Sequence, residues 1–152
     1  MAPVPDLQLE EMEPAAVFAA IARMSEDEFT TLMDDPTQRP VVISSLVQHM
    51  ASLFRPEKAG DTDATIHIKL WDKPGGGYDH VEMRIADGAC TIHEEPEREA
   101  DLTLKVRPTD LRKLVTGESG ARRLAFRGRL RVLGDIGLAM KLPDLFDFTS
   151  TS

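Results

Sequence analysis

Hydrophobic and polar positions along the chain follow two different periods. Before residue 64 apolar residues recur at helical spacing: Val17, Ile21 and Met24 share a face in "EPAAVFAAIARM", and "SEDEFTTLMDD" opens on Ser25 with Glu28 three residues later, the signature of a capping box. Two short helices are predicted there. Pro36 and Pro40 punctuate the chain before "VVISSLVQHMASLF", where Ile43, Leu46, Val47, Met50 and Phe54 form the stripe of a third, amphipathic helix. From residue 64 the period shortens to two. Ile66, Ile68 and Leu70 alternate with His67, Lys69 and Trp71, and Val81, Met83 and Ile85 alternate with His80, Glu82 and Arg84. Cys90 and Ile92 then oppose Thr91 and His93, Leu102, Leu104 and Val106 oppose Thr103, Lys105 and Arg107, and Leu130 and Val132 oppose Arg129 and Arg131. Five strands with one apolar and one charged face predict an α+β fold, a mainly antiparallel sheet covered by helices on one face. "PTDLRKLVTG" adds a helix between the last two strands, with Thr109 as its cap and Gly117 past its end.

The stretch "RGRLRVLGDIGLAMKLPDLF" ends the patterned chain on an unusually apolar helix. Asp135 reads as its N-cap, and Pro143 as the residue that stops or kinks it. Leu138, Leu142 and Leu145 share a stripe, while Ile136, Met140 and Phe146 make the segment apolar on further sides. Such a helix must touch the sheet on one side and something else on another: ordinary core packing, or the wall of a cavity for an apolar ligand.

Composition narrows the choice of partner. The 152 residues suit one domain with one core, and 26 acids against 18 bases give a net charge of −8, which argues against nucleic acid as a partner. The surplus is local: residues 1 to 63 hold twelve acids and four bases, and the rest of the chain is balanced. No apolar run approaches the roughly 18 residues that span a bilayer, so membrane contact is expected to be peripheral at most. The single cysteine, Cys90, and a start, "MAPVPDLQLEEMEP", without the basic and apolar regions of a secretion signal point to a cytoplasmic protein.

Motifs that would announce chemistry are weak. "PGGGYD" is followed by a strand, so it lacks the helix N-terminus a phosphate loop needs. Cys90 and His93, three apart on a strand, face opposite ways, and Cys90 reads as a small buried hydrophobe. His67, His80 and His93 share the polar face without metal-ligand spacing. No nucleophile elbow, dinucleotide fingerprint or zinc signature occurs, so no catalytic residue, metal or cofactor is assigned; Asp79 and Asp135 are the carboxylates to inspect for acid–base work. Arg122, Arg123, Arg127, Arg129 and Arg131 put five cations into ten residues. They either recruit an anionic headgroup or, as the plainer expectation, pair with the acids of the 94–101 loop or of the N-terminal helices.

"FRGRLRVLGDIGLAMKLPDLF", with "DLTLKVRPTDLRKLVTGE" and "GGGYDHVEMRIADGACTI", resembles the sterol carrier protein type two family over roughly residues 42 to 146. The resemblance implies a five-stranded sheet with helices over one face, enclosing an apolar tunnel for sterols, fatty acyl chains or acyl-CoA, with the final helix beside its mouth. By position Phe126, Leu130, Val132, Leu138, Met140, Leu142 and Phe146 would map onto tunnel-lining segments; Met83, Leu104 and Met50 join them as candidate ligand contacts. The chain then divides into an acidic helical arm, residues 1–35, and a lipid-binding domain, residues 36–148. The arm is expected to pack across the cavity or to form a homodimer, using Phe18, Ile21 and Met24. Binding, and transfer, of an apolar small molecule is the function implied. Two rivals stay open: an enzyme using the same cavity for isomerisation or cyclisation, and an accessory module that binds a protein partner.

Overall fold

The structure, a computed structural model, describes residues 9–148. Helices α1 (Pro14–Ala22), α2 (Glu26–Met33), α3 (Gln38–Ser52) and α4 (Pro56–Ala59) precede strands β1 (Ala64–Leu70), β2 (Asp79–Ala86), β3 (Ala89–His93) and β4 (Leu102–Val106). Helices α5 (Pro108–Val115) and α6 (Ala121–Phe126), strand β5 (Leu130–Gly134) and helix α7 (Ile136–Leu145) complete the fold. The strands form one sheet in the order β3-β2-β1-β4-β5. Three pairings are antiparallel and β1 with β4 is parallel, so the sheet is mixed and mainly antiparallel, as the alternation predicts.

Register follows from the alternation. Ile66 sits between Met83 and Leu102, and Ile68 between Val81 and Leu104, so apolar residues of three strands share the face that the helices cover. The apolar residues of that face are buried except Cys90, Ile92 and Val132, which are partly buried on the two outermost strands. The outer face carries the alternate set and is roofed in part by the 94–101 loop. There Glu82 Oε1 accepts from the backbone amides of Glu97 and Arg98, both at 2.9 Å, and Asp101 accepts from Thr65 N at 2.8 Å. A buried carboxylate with two amide donors is a satisfied one.

Helix boundaries match the caps, with three differences. Ser25 and Glu28 form the reciprocal capping box, and Asp135 accepts from Leu138 N at 3.0 Å. Pro40 lies inside the first turn of α3, where an amide hydrogen has no helical partner to lose, so it does not delay the helix. Pro108 rather than Thr109 opens α5, and α7 continues through Pro143 to Leu145. Residues 9–33 are part of the common core: Leu9, Val17, Ile21, Phe29 and Leu32 are buried with α3 and α5 residues. Phe18 and Met24 are partly buried, and the Phe18 ring stacks on His49 at 3.6 Å. No helix of the described residues is long and apolar enough to cross a membrane.

Candidate functional site

Strand β5 lies at one edge of the sheet, with α6 before it and α7 after it. The α6 sequence "ARRLAF" places small residues, Ala121 and Ala125, one turn apart, and α7 places Ile136 and Met140 at the same spacing. Between these two faces and the inner face of β4 and β5 lies an open cleft of about 220 Å³. Its walls are Leu104, Leu130 and Val132 from the sheet, Ala121, Arg122 and Ala125 from α6, and Ile136, Ala139, Met140, Leu142 and Pro143 from α7. Arg122 is the single ionisable residue among them. A second depression of about 460 Å³ shares Ala121, Arg122 and Pro143 with the first and adds Arg55, Phe146 and Phe148 among its walls. Together they fall within the size range of small-molecule sites, roughly 300–1,000 Å³.

Of the ten ligand contacts expected from sequence, Leu104, Leu130, Val132, Met140 and Leu142 meet in the first cleft and Phe146 borders the second. Met50, Met83 and Leu138 are buried in the core. Phe126 stands 93% exposed at the end of α6. Sequence reasoning missed Ala121, Arg122, Ala125, Ile136, Ala139 and Pro143 as walls. The four-residue spacing of Ala121 with Ala125 is the signal that would have found the α6 wall, and that of Ile136 with Met140 part of the α7 wall.

The polar candidates are accounted for structurally. Asp79 lies 2.6 Å from Arg39 Nε, and the same buried guanidinium donates to the carbonyls of Leu70, Trp71 and Asp72 at 3.3, 2.8 and 3.2 Å. Asp135 is occupied as a cap. His80 Nε2 and His67 Nδ1 lie 2.8 Å apart, and His67 Nε2 lies 2.7 Å from the carbonyl of Arg98, which fits a donor at each Nε2. His80 is held below the usual histidine range by burial, then by the neighbouring His67 and Lys69. His93 is 3.3 Å from Thr91 Oγ1, and among the described residues no cluster suited to a metal ion occurs. Burial pushes the Cys90 thiol up to about 12.

The arginine cluster departs from the plainer expectation. Arg129 approaches Asp110 at 3.7 Å, whereas among the described residues Arg122, Arg123, Arg127 and Arg131 enter no ion pair. Sheet order explains the difference, because the 94–101 loop folds onto β1 and β2 while the arginines flank β5 at the far edge. The N-terminal helices are met by α5 instead: Lys113 pairs with Glu26 at 3.3 Å. Asp110 is buried, and its carboxylate accepts no hydrogen bond within the described protein. It lies in a polar depression of about 370 Å³ with Trp71, Lys105, Arg107, Arg129 and Arg131.

A five-stranded sheet covered by helices on one face, with an apolar cleft beside its last helix, defines the fold class, and comparison with known proteins assigns the chain within it. The model of the SCP-2 sterol transfer family matches residues 44–147, and the chain belongs to that family. It is 32% identical over 78 residues to sterol carrier protein 2 of Oryctolagus cuniculus, covering 51% of this chain and 14% of that protein; the chain thus spans a small part of the curated relatives it matches. The solution structure of the sterol carrier protein domain 2 of Helicoverpa armigera shares the fold, with a TM-score of 0.58 at 20% identity over 68% of this chain and 84% of that one. The stereoselective inverting sec-alkylsulfatase Pisa1 from Pseudomonas sp. carries the same fold with a TM-score of 0.58 at 16% identity, over 91% of this chain and 25% of its own.

Proposed function

We propose that this chain binds an apolar small molecule, a lipid or fatty-acyl compound, with its chain between α6, α7 and the β4–β5 edge, and passes it on. The observation that carries the reading is the composition of the cleft: ten apolar walls and one cation, Arg122, which suits an acyl chain ending in a carboxylate or other anion. Desolvating about ten methylenes contributes roughly 8 kcal/mol gross, so micromolar binding survives large ordering losses with few polar contacts. Met140 adds a side chain that adapts to varied shapes. Residues 36–148 form the proposed lipid-binding unit, with residues 9–35 as a helical layer on α3 and α5, away from the cleft walls. The lone, half-buried thiol of Cys90 supports a cytoplasmic setting.

Mass spectrometry of organic extracts from natively purified protein, followed by displacement of a fluorescent fatty acid, tests the reading. A co-purified acyl compound and micromolar displacement are expected. Absence of both, with Met140→Asp indistinguishable from the parent, would leave the partner-binding module as the better account.

A further inference from the structure

We propose that the α6–β5–α7 edge docks on an anionic lipid surface, with the cleft mouth facing the bilayer. Six large hydrophobic residues are exposed among the described residues, and four of them, Phe126, Leu133, Ile136 and Met140, lie within this one edge. Their exposures are 93, 49, 62 and 67%; Leu133 faces the charged side of β5, whereas Phe126, Ile136 and Met140 belong to the two helices that flank the cleft, and exposed large apolar side chains gathered at one edge mark an interaction site. Ile136 and Met140 are one turn apart on α7, and Arg122 and Phe126 one turn apart on α6; Arg122, Ile136 and Met140 border the same cleft. Apolar tips therefore stand on both sides of the mouth.

Charge selects the occupant. Between residues 120 and 148 there are six bases and three acids, in a chain whose net charge is −8. Of the acids, Asp135 caps α7 and Asp147 pairs with Arg55 at 3.4 Å, while Arg122, Arg123, Arg127 and Arg131 enter no ion pair within the described residues. A basic collar around exposed aromatic and aliphatic tips is the arrangement that inserts side chains at the headgroup level of an anionic bilayer. Five of the acids of residues 1–63, Glu26, Asp27, Glu28, Asp34 and Asp35, lie on or just after α2, which packs on α3 and α5, whereas α4, with Glu57 and Lys58, meets α7 without adding net charge, so the field of the molecule is polarised toward this edge. This inference rests on the lipid-binding reading for its purpose, since a mouth held against the bilayer lets an acyl chain pass without crossing water, but its measurement is separate.

The full chain, free of added ligand, is pelleted with vesicles of phosphatidylcholine alone and of phosphatidylcholine mixed with phosphatidylglycerol. Association with the anionic vesicles only, relieved by high salt, is the expected result. Arg123→Gln with Arg127→Gln should weaken it about 30-fold, at roughly five-fold per cation, and Phe126→Ser should weaken it further. All three side chains are exposed, so folding is spared, and displacement of a fluorescent fatty acid in solution should be unchanged by the two arginine substitutions. Equal pelleting with both vesicles, or full retention by the variants, overturns the proposal. So does a dimer in sedimentation equilibrium that Phe126→Ser dissolves, because the edge then belongs to a second copy of the chain. Anionic vesicle binding without fatty-acid displacement sinks the cleft reading and leaves the docking edge standing.

Discussion

Arg112 on α5 donates through Nη1 to the carbonyl of Ile21, 91 residues earlier, at 2.8 Å. The same nitrogen reaches the carbonyl of Met24 at 2.9 Å, and the guanidinium lies 4.4 Å over the Phe29 ring. The Ile21 carbonyl lies in the last turn of α1 and that of Met24 two residues past it, so one buried cation binds the C-terminal end of that helix and fastens the N-terminal layer to the rest of the core. Arg112→Ala should cost about 3 kcal/mol, the loss of charge-assisted hydrogen bonds to two carbonyls and of the packing on Phe29. Arg112→Lys should recover part of it. Urea midpoints of the three proteins check both, and an alanine variant as stable as the parent contradicts this role.

Backbone geometry makes Gly134 equally sensitive. Its φ is +113°, and a Cβ there would stand 2.5 Å from the carbonyl oxygen of Asp101, which itself accepts from Asp135 N at 2.9 Å. Gly134→Ala is expected to destabilise the protein by roughly 1–3 kcal/mol through strain. Amide exchange should quicken first in β5 and at the start of α7.

Acidification should weaken the fold in two stages. Burial, then His67 and Lys69, hold His80 below the histidine value of 6.5, and burial lowers His49 likewise. The folded state therefore binds fewer protons than the unfolded chain, so this stability is complete above pH 6.5 and drains away as pH falls through the folded values. His80→Gln should flatten that slope in a series of denaturation midpoints. Glu82 acts lower. Burial alone would raise its carboxyl, but the amides of Arg98 and Glu97, with His67 and His93, outweigh it and bring it below 4.5; its contribution is present above 4.5 and lost beneath the folded value. Glu82→Gln should remove the second stage and loosen the 94–101 loop.

A thiol raised from 9 to about 12 by burial is a poor nucleophile. At mildly alkaline pH Cys90 should react with a disulfide reagent about 1,000-fold more slowly in the folded protein than in urea, as its smaller thiolate fraction requires. Equal rates would place the side chain in water.

Met140→Asp sets a carboxylate on the wall of the cleft while leaving an exposed helix position otherwise intact. Loss of fatty-acid affinity by a factor of ten or more is expected, since burying that charge beside an acyl chain costs at least about 1.4 kcal/mol. Unchanged circular dichroism would separate this loss from unfolding.

Alternation of Ile66, Ile68 and Leu70 against His67, Lys69 and Trp71 made the sheet and its buried face legible, because a period of two leaves one register that buries the apolar set. Ser25 with Glu28 and Asp135 with its helix were legible for the same reason: short-range hydrogen bonds bind neighbours in the chain. The parallel seam of β1 and β4 was not, since both strands alternate just as their antiparallel neighbours do. Nor was the arginine edge, where the destination of Arg122, Arg123, Arg127 and Arg131 depends on which strand ends up outermost. Half of the expected ligand contacts gathered in the cleft because they lie on β4, β5 and α7. Met50, Met83 and Leu138 share their hydrophobicity but point into the core, a distinction of direction that residue type does not carry.

The parallel seam also orders assembly in time. Strands β1, β2 and β3 join through short connections, whereas β4 must return past them to pair with β1, and loop closure is paid before such a distant contact is rewarded. Leu104, Leu130 and Val132 all lie beyond that seam, so the cleft is among the last surfaces to exist as the chain folds and among the first to vanish as it opens. A ligand bound in the proposed cleft would therefore give no head start to the β1–β2–β3 meander. It would act as a latch on the far half, lengthening the lifetime of the closed seam while leaving the speed of the early hairpins untouched.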